Sequence, residues 1–399
     1  MRDQQAGMQC PFLENTMPRG DIAALAAAHQ VKVATARYVP LFAQVATNEC
    51  IPTGITMLNL ALSGRVTGGI KRGSLFHICG DSDAGKSVMA MTLLAQSSLD
   101  SRCSKYELYK DDAEASDNFV LDAMFGSALV RRLKHPGKDN TSSYTIEEFY
   151  DNHYRLCKAG RSFISVLDSM DGLESHSGIA LFEENMERRE NDKETKASYG
   201  DGKAKYNSQS LRKLKQAVGE SGSLLVVVSQ TRDNISPVSM AEQVHAGGRA
   251  LKFYSTVQLW LANRGKLTKM IHGKEHQNGV LSRCRISKNH ITGRHIDFLI
   301  PFYFGYGIDD IQCSLRWLCD PTGAGIWKMG GGKLTTHKEF GLDAEYKLAD
   351  FVHEARKADS DLAIRFSQAI QQAWDGLEKE LRMPGRFSGE DAPITIGEE

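Results

Sequence analysis

The chain has 399 residues, 41 % hydrophobic and 25 % charged, and its 49 basic and 49 acidic side chains balance to zero. That length allows one large core with small appendages or two to three domains. The longest apolar runs fall well short of the ~20 residues that cross a bilayer, and with zero net charge the whole-molecule field says nothing about nucleic acid. Met1–Cys10 is polar and lacks the apolar centre of a signal peptide. Eight scattered cysteines (10, 50, 79, 103, 157, 284, 313 and 319) contain no C-x-x-C pair. Reduced thiols account for that better than a disulfide framework or a zinc site, and Cys79 reads as a small buried hydrophobe.

In chain order, Asp21–His29 reads as a short helix capped by Asp21, and Tyr38–Val45 as an extended segment interrupted by Pro40. Ile51–Arg72 is rich in Gly and Thr and leads into the apolar run Leu75–Cys79. Gly80-Asp81-Ser82-Asp83-Ala84-Gly85-Lys86-Ser87 follows, a G-x-x-x-x-G-K-[ST] loop opening into a predicted helix over Val88–Gln96. Strand, glycine loop and helix in that order turn backbone N–H groups and the positive helix end towards phosphate oxygens. Lys86 is then expected on the β- and γ-phosphates of ATP, and the Ser87 hydroxyl on Mg²⁺.

Further apolar runs at Tyr106–Lys110, Phe163–Leu167 and Leu224–Ser229 each end at a polar residue, with helical patterns between them. Alternation of this kind predicts an α/β fold with a mostly parallel twisted sheet and ligands at the carboxyl ends of its strands. Asp168 stands where a carboxylate holds the water shell of Mg²⁺. Glu114, in Asp112-Ala113-Glu114, is placed to polarise an attacking water, or else to cap a helix. Gln230 at the fourth strand end is placed to sense a γ-phosphate, or is a plain strand-end amide. Trp317–Lys333 reads as small strands around a Gly330-Gly331-Gly332 turn. Helices are predicted over Asp343–Lys357 and Ser360–Leu381, followed by a tail with four acids and no base after Arg386. Two stretches are basic: Lys196–Gln216 has six Lys/Arg against Asp201, and Arg264–Ile296 has eight against Glu275. Each is a solvated face or a run of phosphate contacts.

Taken together these residues resemble the RecA family of homologous recombinases, and the short form is similar to the phage UvsX type. The resemblance covers roughly residues 38–330. It rests on Pro52-Thr53-Gly54, Leu58–Gly64, the phosphate loop, Asp112-Ala113-Glu114, Leu167-Asp168-Ser169 and Ser229-Gln230-Thr231-Arg232. It continues through Gly247-Gly248-Arg249-Ala250-Leu251-Lys252-Phe253-Tyr254, Arg285–Asn289 and Phe304–Ile308. The resemblance implies an N-terminal helix and polymerisation arm at 1–50, a RecA-like ATPase core at 51–315, and a small helical C-terminal region with an acidic tail at 316–399.

It implies catalytic roles for Glu114, Lys86 and Gln230, nucleotide binding by residues 80–87 with Asn118 and Lys288, and Mg²⁺ at Ser87 and Asp168. DNA contacts are expected on two loops, about 183–212 and 231–249, through Lys203, Lys205, Arg212, Arg232, Gly247, Gly248 and Arg249. Lys252, Phe253 and Lys288 are expected at a subunit interface, with Lys288 reaching a neighbour's ATP; Phe253 as a core aromatic is the alternative. His290 and Leu121 depart from the family pattern, which has a lysine and an adenine-stacking tyrosine there. The implied partners are single- and double-stranded DNA, further copies of the chain in a helical filament, and single-strand-binding and loader proteins. No membrane is implied, and the implied location is the cytoplasm of a prokaryotic or phage-infected cell. A hexameric helicase motor and a non-hydrolysing DNA-coating paralogue remain the other readings.

Overall fold

The computed structural model describes residues 45–114, 120–196, 202–233, 243–245, 248–337 and 340–381. The expected N-terminal helix, the arm up to residue 44, Asn118 and the acidic tail lie outside them. The strands are β1 (Cys50–Ile51), β2 (Ile70–Lys71), β3 (Ser74–Gly80), β4 (Glu107–Asp112), β5 (Leu133–Lys134) and β6 (Phe163–Asp168). They continue with β7 (Leu224–Asp233), β8 (Gln243–His245), β9 (Val257–Ile271), β10 (Lys274–Asn289), β11 (Asp297–Tyr303) and β12 (Gly307–Ile308).

Among the described residues the main sheet has ten strands in the order β12-β11-β10-β9-β3-β7-β6-β4-β5, with β8 paired to β7. From β9 to β5 every neighbouring pair is parallel; β10, β11 and β12 add an antiparallel wing. The composition of the strands explains the division. Every residue of β3 and β6 is buried, as expected of strands covered by helices on both faces. The distal ends of β9 and β10, from Asn263 to Gln277, are largely exposed and carry Arg264, Lys266, Lys269, Lys274 and Glu275. The crossover helices carry ordinary start signals, such as the Thr145/Glu148 capping box that opens Ile146–Lys158.

Several elements differ from the sequence reading. Thr56–Ser63 is a helix where a Gly/Thr-rich connection was expected; it stops at Gly64 in the left-handed region, φ +72°, and presents Met57, Leu58 and Leu60–Leu62 to the core. Trp317 belongs to the helix Asp310–Cys319 and does not open a strand. Asp309 caps that helix by accepting from the Gln312 N–H, and Cys313, Leu315, Trp317 and Leu318 are buried. Residues 345–347 form a strand, so the helix expected from Asp343 starts at Leu348. Helix Lys86–Leu99 is longer than Val88–Gln96 at both ends.

The C-terminal helices share their core with the sheet. Trp327 packs on Phe351 and Phe366, while Trp317 meets Trp374. Arg294 lies over the Trp374 ring and pairs with Glu378 at 3.2 Å. Gln371 bonds Val66 N–H and Gly64 C=O, and Arg356 pairs with Asp309.

Candidate nucleotide site and interface cleft

Gly80 ends β3 between β7 and β9, and helix Lys86–Leu99 begins directly behind the loop. Two of its glycines are sterically required. A Cβ on Gly80, φ +150°, would lie 1.9 Å from the Leu261 carbonyl oxygen; one on Gly85, φ +90°, would lie 2.6 Å from the Phe302 ring. The loop is tied to β9 by Asp81 N–H to Leu261 C=O, 3.0 Å, and to β10 by Ser282 Oγ to Ala84 C=O, 2.9 Å. The Lys86 ammonium donates to the carbonyls of Gly80 (3.1 Å) and Asp81 (2.6 Å). Burial lowers its pKa, opposed by the negative charges of Asp168, Asp81 and Glu114.

The loop forms one wall of a cleft of about 840 Å³. Ser82, Asp83, Gly85, Lys86, Ser87, Asp168, Glu114 and Gln230 all line it; Gly80, Asp81 and Ala84 form the loop backbone behind. Parallel register explains the convergence, because Gly80 pairs with Gln230 and Asp112 with Asp168, so the carboxyl ends of four strands finish at one level. Ser87 hydrogen-bonds the Asp168 carboxylate; burial raises the pKa of that acid while the Ser87 bond lowers it. Glu114 Oε1 accepts from the Ser169 hydroxyl and from Gln230 Nε2, the latter at 3.3 Å. The hydroxyl of Ser87 and the carboxylate of Asp168 are hard oxygen donors that fit Mg²⁺ as it is usually held, by few protein ligands plus water and phosphate.

Phe302, Phe304 and Met124 supply apolar walls. Sequence reasoning had placed none of them in the site. Met124, not Leu121, lines the cleft, and Phe304 is 63 % exposed at its rim. Ser169 was also missed in its contact with Glu114. The legible signal was the Phe304–Ile308 motif; the contact of Phe302 with Gly85 depends on strand β11 reaching the loop from far along the chain.

A second cleft, about 1070 Å³, is lined by Arg212, Lys215, Lys252, Phe253, Lys288 and His290 among others, and shares no lining residue with the first. Phe253 is 72 % exposed, so it is not a core aromatic. Lys288 lies within β10, and its ammonium donates to the carbonyls of Lys252 (2.9 Å) and Phe253 (2.7 Å) at the end of helix Gly248–Tyr254. Burial, then Lys215 and Lys252, lowers the Lys288 pKa; burial and Lys288 lower that of His290.

Of the expected DNA-contacting positions, Lys203 and Lys205 lie on helix Gly202–Ser221, Arg232 on β7, and Gly248 and Arg249 at the start of helix Gly248–Tyr254. Gly247 falls outside the described residues. Arg212 sits in the second cleft. Helix His176–Glu190, whose second half enters the first expected loop, has no buried residue, and Glu184 pairs with Arg188 and Lys196.

A family model described as the RecA N-terminal domain matches residues 177–309, from helix His176–Glu190 through the antiparallel wing. Protein RecA of Thermus thermophilus is 28 % identical over 263 residues, covering 66 % of this chain and 69 % of that protein. Protein RecA of Synechocystis sp. is 27 % identical over 270 residues, 67 % of each. Protein RecA of Ruminococcus albus is 25 % identical over 370 residues, 88 % of this chain and 85 % of the relative. These similarities support membership of the RecA family, and the large, mostly parallel sheet flanked by helices is consistent with a RecA-like core.

Proposed function

We propose that this RecA-family chain is an ATP-dependent, DNA-binding recombinase that assembles on single-stranded DNA into a helical filament and catalyses homologous pairing and strand exchange. One observation carries the reading: the expected catalytic set lines one cleft, and the expected interface set lines another that shares none of its residues. A cation at Lys288 therefore has no part in its own chain's phosphate loop and is available to a neighbour's.

In this reading the loop N–H groups and Lys86 hold the triphosphate, which supplies the counter-charge that the buried ammonium otherwise takes from Asp168, Asp81 and Glu114. Ser87 and Asp168 would hold Mg²⁺, which would supply counter-charge to the phosphates. Glu114, kept in place by Ser169 and Gln230, accepts a proton from the water attacking the γ-phosphate. Phe304 offers a ring face to the base. Gln230 hydrogen-bonds the γ-phosphate in place of Glu114 and passes the change along its own strand, which runs on to Asp233 and pairs with β8 in the second expected DNA loop.

DNA is held through phosphate neutralisation by the basic residues of residues 183–212 and 231–249, and sequence is read by base pairing, not by side chains. The division into an arm at 1–50, a core at 51–315 and a C-terminal region at 316–399, the UvsX-type subgroup and the cytoplasmic location rest on the sequence resemblance. Single-strand-binding and loader proteins are expected partners on the same ground. No helix among the described residues is long and apolar enough to cross a membrane.

The test is ATP hydrolysis with and without single-stranded DNA, in the native chain and in Lys86→Ala. Stimulation by DNA and its loss in the variant are expected; undiminished hydrolysis by Lys86→Ala overturns the assignment.

A further inference from the structure

Behind the two clefts a line of side chains crosses four adjacent strands. Ser287 on β10 donates its hydroxyl to Gln258 Oε1 on β9, 3.0 Å. Gln258 Nε2 donates to His77 Nδ1 on β3, 3.0 Å, and His77 Nε2 meets Ser229 Oγ on β7 at 2.7 Å. Since Nδ1 accepts, the ring proton sits on Nε2 and is donated to Ser229, so every donor runs in one sense from Ser287 to Ser229. His77, Gln258 and Ser229 are fully buried. Such polar groups persist inside a sheet only when bonded to one another, and a chain so bonded is stiff.

What lies at its ends gives the line a use. Gln230 follows Ser229, and Lys288 follows Ser287. Side chains alternate along β7, so Gln230 emerges on the face opposite buried Ser229, whereas a bulge sets Lys288 directly opposite Gln258 in register. Gln230 enters the nucleotide cleft, and Lys288 reaches the end of helix Gly248–Tyr254. Ser287 also occupies the register shift between Ile286 and Lys288. A bulge re-aims the side chains beside it. The Ser287 hydroxyl pins this bulge through the side chain and the carbonyl of Gln258, 3.0 and 3.3 Å.

We propose that His77 and Gln258 are positioning residues that hold Gln230 and Lys288 in one fixed relation, so that the nucleotide-sensing amide and the neighbour-facing cation respond as a unit. The inference rests on the roles assigned to Gln230 and Lys288 under the proposed function. Neither His77 nor Gln258 touches either cleft.

The test uses the full chain, single-stranded DNA and ATP. Gln230→Ala, Lys288→Ala and their combination are compared in the native background and in His77→Phe, which keeps ring volume and removes both hydrogen bonds. In the native background the double variant should lose at least fivefold less DNA-stimulated hydrolysis than the product of the single losses. In His77→Phe the losses should simply multiply, and DNA-stimulated turnover should fall about tenfold. Nucleotide affinity without DNA should stay within twofold, and His77→Gln, which retains a donor and an acceptor, should restore coupling. Coupling that persists in His77→Phe overturns the proposal. If His77→Phe does not fold, Ser287→Ala removes only the half-buried end of the line; a native response there overturns it equally. If Gln230→Ala and Lys288→Ala each leave hydrolysis unchanged in the native background, the reading of the two clefts fails first, a result distinct from failure of the line.

Discussion

Gly85→Ala tests whether the phosphate loop is built as described, because the structure separates two costs. At φ +90° and ψ +20° a side chain is strained, at about 1–2 kcal/mol. A Cβ there also meets Phe302 ring carbons at 2.6–2.7 Å, closer than atoms pack, and Phe302 is nearly buried and has little room to retreat. Overpacking of this kind costs about 1–3 kcal/mol. The variant should therefore lose about 2–5 kcal/mol in urea unfolding and bind ATP weakly. In Gly85→Ala/Phe302→Leu the clash is relieved but the backbone strain is not, so the double variant should be about 1–3 kcal/mol more stable than the sum of its single effects. A stability change under 0.5 kcal/mol in Gly85→Ala, or strict additivity of the pair, refutes the packing of β11 against the loop.

Glu114→Gln should retain ATP binding and slow DNA-stimulated hydrolysis by about 10² or more, measured under saturating ATP; the amide still meets Ser169 but takes up no proton. Lys205→Ala and Arg249→Ala should each weaken single-strand binding about equally across sequences and flatten the salt dependence by about 0.7 log unit, read from titrations at several salt concentrations. Asp310 accepts the N–H and hydroxyl of Thr56, 2.8 and 2.6 Å, and burial holds its pKa at about 6, above an ordinary 3.8. A raised carboxyl pKa means that the folded chain binds the extra proton. This contribution to stability is present below pH 4 and is lost as pH rises through 6, by on the order of 3 kcal/mol. Asp310→Asn should abolish that slope in unfolding measured from pH 4 to 7.

Much of the nucleotide cleft was legible because its signals are local. A buried run, a glycine loop and a helix are contiguous, and strand-end polar residues declare themselves by interrupting apolar runs. Asp168, Glu114 and Gln230 then meet because parallel strands start in step. Thr56–Ser63 was not legible as a helix. The carboxylate that receives its first N–H is Asp310, 254 residues away, and its apolar residues fall inside a Gly- and Thr-rich stretch. Trp317 was misplaced because aromatic and glycine residues suggested strands, and the sequence reading assigned no role to the capping Asp309. The line from Ser287 to Ser229 was invisible for a different reason: β9, β3 and β7 are neighbours in the sheet but not in the chain, and each of its members alone is an ordinary polar residue in an apolar run.

The central claim, that nucleotide is bound between copies of this chain assembled along DNA, is tested most directly by electron microscopy of the purified chain with single-stranded DNA and ATP. The account predicts helical filaments whose length follows the DNA and which are lost in Lys86→Ala. Closed rings of fixed subunit number, or DNA coated equally well without nucleotide, would contradict it.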